Sequence, residues 1–276
     1  SEVVQFAVGD RVYGHLPIRE IHTTDENGRN ATGQRPLGSG VREAGIHHVP
    51  KGMSDEQIVL LDPAHFALAA VHDADIALGS HVAVFGLGAI GLLIVQMARL
   101  GGATTVFGVD PLANRRELAV RFGADQVYDP REVDAGYEIK KETEKMGADV
   151  VIDASGSYKA LQDAIRSVHY SGLVVTVSFY HGSGSELRLG EEWHLTRATM
   201  RSSMPVWGNP SRRYPAWDDE RVEATALALM RQGLLNTNGL VDPIVPLSEA
   251  PGAYERIATA PETCVKLGVR FADGGR

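Results

Sequence analysis

The run VAVFGLGAIGLLIVQMARLGG, residues 82–102, constrains this chain more than any other stretch. It is apolar almost throughout, yet Gly86, Gly88 and Gly91 interrupt it at the spacing G-x-G-x-x-G. A strand running into a helix has use for these glycines only if the turn between them is special. Gly86 then ends the strand and permits a tight turn. Gly88 has no Cβ, so a pyrophosphate can come close to the backbone, and Gly91 lets the helix lie hard against the strand. The phosphates would meet free N–H groups where Ala89 and Ile90 open the helix, at the end whose dipole favours negative charge.

The sequence that follows repeats the same alternation. Apolar runs at 81–85, 105–110, 126–129, 149–154 and 173–179 are separated by helical stretches at 90–100, 113–122, 137–147 and 158–168. The runs are continuously Val/Ile-rich rather than alternating, as strands covered on both faces require. A sixth run at 196–203 and an amphipathic helix at 220–235 follow. The expected fold is α/β, a Rossmann-type doubly wound parallel sheet.

Asp110 ends the second run, 24 residues after Gly86. A carboxylate there accepts hydrogen bonds from the adenosine ribose and repels a 2′-phosphate, so NAD is the expected cofactor. Asp110 is expected at a solvent-facing strand end, where replacing it leaves the fold intact. Arg115 and Arg116 open the next helix. They read as solvated surface arginines, with Arg115 placed to touch adenine or phosphate.

The flanks look different. VVQFAVGDRVYG reads as short strands around a Gly-Asp turn, and residues 21–45 as a long polar loop. Ser54 is an N-cap, Asp62-Pro63 breaks the helix it starts, and the structural reading of Asp62 is a second N-cap. This divides the chain into a β-rich part (1–63), the dinucleotide-binding domain (64–236) and a C-terminal return (237–276). Lys and Arg total 27 against 35 Asp and Glu, a net charge of −8, which argues against nucleic-acid and anionic-membrane partners. No apolar run is long enough to span a bilayer and no signal-peptide pattern opens the chain, so a cytoplasmic protein is expected. Cys264 is the single cysteine, which excludes an internal disulfide and a four-cysteine zinc site. It is expected to begin the last strand as a small buried hydrophobe.

The segments FAVGDRVYG, DPAHFALAAVHDADIALGSHVAVFGLGAIGLLIVQMARLGGATTVFGVD and ADVVIDASGS together resemble the medium-chain dehydrogenase/reductase superfamily, alcohol-dehydrogenase-like enzymes with a GroES-like catalytic domain and a Rossmann domain. EWHLTRATMRSSMPVWG is similar to the branch with the bacteriochlorophyllide dehydrogenases and related alcohol or polyol dehydrogenases. The resemblance implies a partial GroES-like domain at the front, because this chain starts inside that barrel. An uncovered barrel edge favours a missing front or an association that covers it. Zinc enzymes of this kind often carry a carboxylate ligand where Asp62 stands. His15, His22, His47, His48 and His65 are the candidate partners, but none sits in a metal-ligand motif, and His47-His48 would point to opposite faces of a strand. No metal is assigned to this chain.

In a doubly wound sheet the ligand lies outside the carboxyl ends of the strands. Ser155 after the fourth strand, and Ser178 and Phe179 after the fifth, are therefore expected beside the nicotinamide. Tyr180 and His181 are the titratable groups on those tips. With Asp62 they are the candidate catalytic residues, able to relay a proton from an alcohol losing hydride. Trp193 and His194 could line a substrate pocket. The expected function is an NAD-dependent oxidoreductase acting on a small-molecule alcohol or carbonyl. The alternatives are a zinc-free enone or quinone reductase and a catalytically silent NAD(H)-binding protein. A homodimer through residues 196–203, with apolar help from 204–208, is implied by the resemblance.

Overall fold

The computed structural model describes residues 5–14, 46–205, 212–213 and 215–271. The polar segment at 21–45, His15, His22 and the apolar positions 206–208 lie outside them. Two short strands, β1 (Val12–Tyr13) and β2 (His47–His48), pair antiparallel. The two imidazoles have separate surroundings. The His47 ring lies 5.3 Å from that of Tyr13, and the His48 ring 4.6 Å from that of Phe6.

Helix α1 (Asp55–Val59) starts at Ser54, whose side chain accepts from the Gln57 N–H while Gln57 answers with its own, a reciprocal cap. Helix α2 (Leu61–Asp73) follows at once. The break therefore falls at Leu60, not at Asp62-Pro63. Asp62 is not an N-cap; it sits in the first turn of α2 beside Pro63. Proline is tolerated there because first-turn N–H groups have no partner within the helix.

Then comes the sheet. Strand β3 (His81–Phe85), α3 (Ala89–Leu100), β4 (Thr105–Val109), α4 (Ala113–Arg121), β5 (Gln126–Tyr128), α5 (Ala135–Glu142), β6 (Ala148–Asp153), α6 (Tyr158–Ser167), β7 (Val168–Thr176), α7 (Glu192–Thr196) and β8 (Thr199–Ser202) succeed one another. All six strands are parallel, in the spatial order β5-β4-β3-β6-β7-β8. That is the doubly wound order of two mononucleotide-binding halves. Val82, Ala83 and Val84 are fully buried, so β3 has core on both faces. One face packs against α2, α3 and α8 (Asp219–Arg231), the other against α5 and α6. Gln96, buried in α3, spends its amide on the backbone of Asn236, donating to its carbonyl at 3.0 Å and accepting its N–H at 2.7 Å.

Several boundaries differ from expectation: β7 starts at Val168 rather than 173, α5 ends at Glu142 rather than 147, and α8 ends at Arg231 rather than 235. The sixth strand is shorter than 196–203 because α7 takes its first residue and Arg197 closes that helix in a left-handed conformation, φ 56°. Cys264 does not begin the last strand. It follows a 3-10 turn at Pro261–Thr263 and is buried ahead of the strand. The chain ends in β9 (Ile244–Pro246), α9 (Ala250–Thr259) and β10 (Gly268–Arg270), with β9 and β10 parallel in a second two-stranded sheet. Among the described residues no helix is long and apolar enough to cross a membrane.

Candidate functional site

The strand order reverses between β3 and β6, and this is where a doubly wound sheet opens a crevice. The three glycines lie at its rim. Gly86 has φ +82°, and a Cβ there would stand 2.7 Å from the N and Cα of Ser155. A Cβ on Gly91 would come within 1.8 Å of the Gly86 carbonyl oxygen. Both are therefore fixed by the protein's own packing. Gly88 is the opposite case: a Cβ there would meet nothing within 4 Å. It is the N-cap of α3 and makes no side-chain cap, so the first N–H groups of a twelve-residue helix face an open position.

Asp110 is not solvent-facing. It is 3% exposed, and both carboxylate oxygens already accept backbone N–H groups, from Leu87 inside the glycine turn and from Leu112, each at 2.8 Å. The residue is thus part of the turn's construction, which runs against the expectation that it could be replaced with the fold intact. Arg115 and Arg116 are not solvated surface arginines either. Arg115 lies 3.8 Å from the Asp110 carboxylate and donates to the Cys264 carbonyl at 3.1 Å. Arg116 donates to the Asp110 carbonyl at 2.7 Å and to Asp129 at 3.0 Å. Asp129 also holds Arg131, whose hydrogen bonds keep its carboxyl well below the usual carboxylate range.

Across the crevice, Ser178 is partly buried, while Ser155, Phe179 and His181 are exposed, the last two with their rings 4.9 Å apart. Sequence reasoning did not single out Asp153, the last residue of β6, which is fully buried. It accepts the Ser155 N–H at 2.9 Å and the Tyr180 hydroxyl. Burial pushes the Asp153 carboxyl up; burial and then the Asp153 charge push the Tyr180 phenol above its ordinary value. Trp193 and His194 lie in α7, away from these strand tips; Trp193 packs against the cluster between the sheet and α5 and α6.

A cavity of about 580 Å³ has Arg11, Tyr13, Asp62, His65 and Glu223 on its wall. Gly79, in the turn after α2, donates to the Gly102 carbonyl just after α3, so the two helices end together and run the same way. Asp62 and His65, at the start of α2, therefore lie at the glycine-turn end of the domain. Asp62 is exposed. His65 is buried with Nε2 3.4 Å from Asp219, and the Tyr13 hydroxyl donates to Glu223 at 2.9 Å. Among the described residues no three His, Cys, Asp or Glu side chains come together as a metal would need. The described residues do not fit a zinc ion, and no step below passes through one.

Strand order and glycine turn together define a Rossmann-type α/β protein. A family model described as a zinc-binding dehydrogenase matches residues 89–218. The chain is 37% identical over 272 residues to a D-guloside 3-dehydrogenase of Escherichia coli K12, covering 98% of this chain and 73% of that protein. The chain belongs to the medium-chain dehydrogenase/reductase superfamily. Among solved structures, 2R,3R-butanediol dehydrogenase from Bacillus subtilis superposes with a TM-score of 0.71 at 25% identity, over 96% of this chain and 75% of that one. A Sinorhizobium meliloti 1021 protein described as a zinc-binding dehydrogenase, bound to NADP, superposes at 0.67 with 25% identity, over 82% of this chain. Only 62% of that chain is covered, so this sequence spans well under the full length of some relatives.

Proposed function

We propose that this chain is the cofactor-binding body of an NAD-dependent oxidoreductase that moves a hydride between nicotinamide and the hydroxyl-bearing carbon of a polyol or glycoside. The observation that carries the reading is the open position at Gly88 above the start of α3, framed by two glycines that the protein itself requires. The substrate class is supported by the names of two relatives, one a guloside and one a butanediol dehydrogenase.

The preference for NAD over NADP is supported by the buried carboxylate of Asp110 just beyond β4, the position from which a dinucleotide fold meets the ribose. The three arginines nearest it are engaged with Cys264, Asp129 and backbone carbonyls rather than offered to a phosphate. The nicotinamide supplies the hydride acceptor. The chain's own part is to bind the pyrophosphate on the α3 N–H groups and to flank the ring with Ser155, Ser178 and Phe179. Asp62 on the cavity wall and His181 on the β7 tip are the groups proposed to carry the substrate's proton. Tyr180 is a poor proton carrier, since its hydroxyl is committed to Asp153 and its pKa is raised. We further propose a homodimer through the open edge of β8.

Steady-state rates with NAD and NADP over a panel of polyols and glycosides test the reading. Catalytic efficiency about a hundredfold higher with NAD is expected, or ~2.8 kcal/mol. Equal efficiency would transfer control of the site from Asp110 to the arginines. Light scattering that gives a monomer at micromolar concentration would remove the dimer.

A further inference from the structure

The buried carboxylate of Asp153 ties together the loops that leave β6 and β7 beyond the last backbone bond of their ladder, Val177 N–H to the Asp153 carbonyl at 2.9 Å. Its Oδ1 accepts the N–H of Ser155, two residues along its own strand tip, at 2.9 Å. Its Oδ2 accepts the hydroxyl of Tyr180, 27 residues away on the tip that follows β7. The Ser155 backbone in turn presses on Gly86, where a Cβ would be 2.7 Å away, and Ala154 donates to the Phe85 carbonyl at 2.8 Å. Opposite, Gly156 leaves room for the Phe179 carbonyl, which a Cβ would approach to 3.3 Å. The Tyr180 ring rests on Tyr158, the first residue of α6, with centroids 5.1 Å apart. The tips of β3, β6 and β7 are thus bound into one rim, and Asp153 is the only side chain among these that bonds to both later tips.

We propose that the Asp153–Tyr180 hydrogen bond is a latch that sets the nicotinamide half of the crevice, with both residues acting as positioning residues rather than as proton carriers. A packed core alone does not call for such a pair. Burying a carboxylate is costly unless it is fully bonded, and an apolar residue at a strand end avoids the cost. Both donors to Asp153 come from the segments expected to flank nicotinamide, because β6 and β7 belong to the second mononucleotide half. The Tyr180 hydroxyl fixes where the chain turns after Ser178 and Phe179. Without it those two residues are held by β7 and by packing on Gly156 and Tyr158, with no hydrogen bond from the Tyr180 side chain. The proposal rests on the dinucleotide reading above and refines which residues shape it.

The test compares two probes, NADH and ADP-ribose, which differ by the nicotinamide group. Binding to the wild-type chain and to Tyr180→Phe is measured by titration calorimetry, alongside thermal midpoints. The expected result is about tenfold weaker NADH binding, or ~1.4 kcal/mol, with ADP-ribose affinity unchanged. Equal losses for both probes with a lowered thermal midpoint would reduce the pair to general stability and overturn the latch. No change for either probe overturns it as well. A wild-type chain that binds neither probe removes the dinucleotide reading and the latch with it. If Tyr180→Phe does not fold, Asp153→Asn takes its place. It keeps an acceptor oxygen for Ser155 and turns the bond to Tyr180 into one donated by the amide to the phenol oxygen, so a divergence between the two probes in the same direction but smaller than tenfold is expected.

Discussion

The six-stranded sheet and the short ladders at either end are built on different terms. In the sheet, Val82, Ala83 and Val84 of β3, Val106 of β4 and Val151 and Ile152 of β6 are fully buried, covered mostly by helices that adjoin the strands in sequence, with α8 the distant addition. In the ladders, both histidines of β2 are exposed, Val12 of β1 is 44% exposed and Ile244 of β9 is 40% exposed. A two-stranded ladder of two or three residues is marginal by itself. Its attachment to the rest runs through side chains: Tyr13 to Glu223, Arg11 to the Met53 carbonyl, Arg270 to Glu56. The lesson is that the sheet is specified by neighbours in sequence, whereas the ladders depend on partners that are distant in it.

The sharpest way to break the contrast is a glycine inside the sheet unit. Gly91→Ala puts a methyl 1.8 Å from a backbone oxygen that cannot move aside. A loss of ~3 kcal/mol is expected in urea unfolding, the upper range for overpacking. Gly88→Ala serves as its control. With nothing within 4 Å, it should change stability by about 1 kcal/mol or less while weakening dinucleotide binding. If both variants unfold alike, the division of labour among the glycines is wrong.

Asp110→Ala comes next. It removes two hydrogen bonds from backbone N–H groups to a buried carboxylate, and a loss of ~2 kcal/mol is expected together with weaker NAD binding. Unchanged stability would return Asp110 to a purely ligand-facing role.

The pH dependence divides two buried carboxylates at strand ends. Asp129 is held low chiefly by its hydrogen bonds to Arg131. Its contribution is therefore complete above the ordinary carboxylate pKa of about 3.9 and fades as pH falls below it. Asp129→Asn should flatten the acid side of the stability profile, read by melting temperature from pH 5 downward in steps of about one unit. Asp153 has the opposite sign. Its raised pKa means that stability falls as pH rises from the unfolded value through the folded one.

The smallest effect belongs to the ladders. Tyr13→Phe deletes one half-buried hydrogen bond to Glu223 and should cost about 1 kcal/mol without changing NADH affinity. A loss as large as that of Gly91→Ala would show that the front of the chain is as integral as the sheet.

These contrasts track what the residues disclosed beforehand. Continuous Val/Ile runs marked β3, β4 and β6 because a strand buried on both faces leaves no polar positions. The glycine turn was legible because each glycine answers a separate steric demand. Helix α7 was not, since five residues carry too little periodicity to separate EWHLT from the strand after it. The burial of Asp110 was hidden because its partners are main-chain N–H groups, which no residue type announces. Asp153 was hidden because its second partner, Tyr180, lies in another loop and the pair has no local spacing. His47 and His48 were correctly set apart by the two-residue period of a strand, although the strand itself is only those two residues.

The structural role of Asp110, set beside the ribose contact proposed for it, bears on how a chain like this could change its cofactor over time. A residue that only met the ribose could be exchanged freely, and preference would drift with a single mutation. Here the same carboxylate closes the glycine turn through Leu87 and Leu112, so on the proposed reading exchanging it loosens the site before any new ligand gains. A route to NADP by addition remains open: Arg115, 3.8 Å from that carboxylate, needs only to leave the Cys264 carbonyl to turn toward a phosphate. Selection for the other cofactor would therefore act first on what holds Arg115, in the C-terminal segment, and last on Asp110 itself.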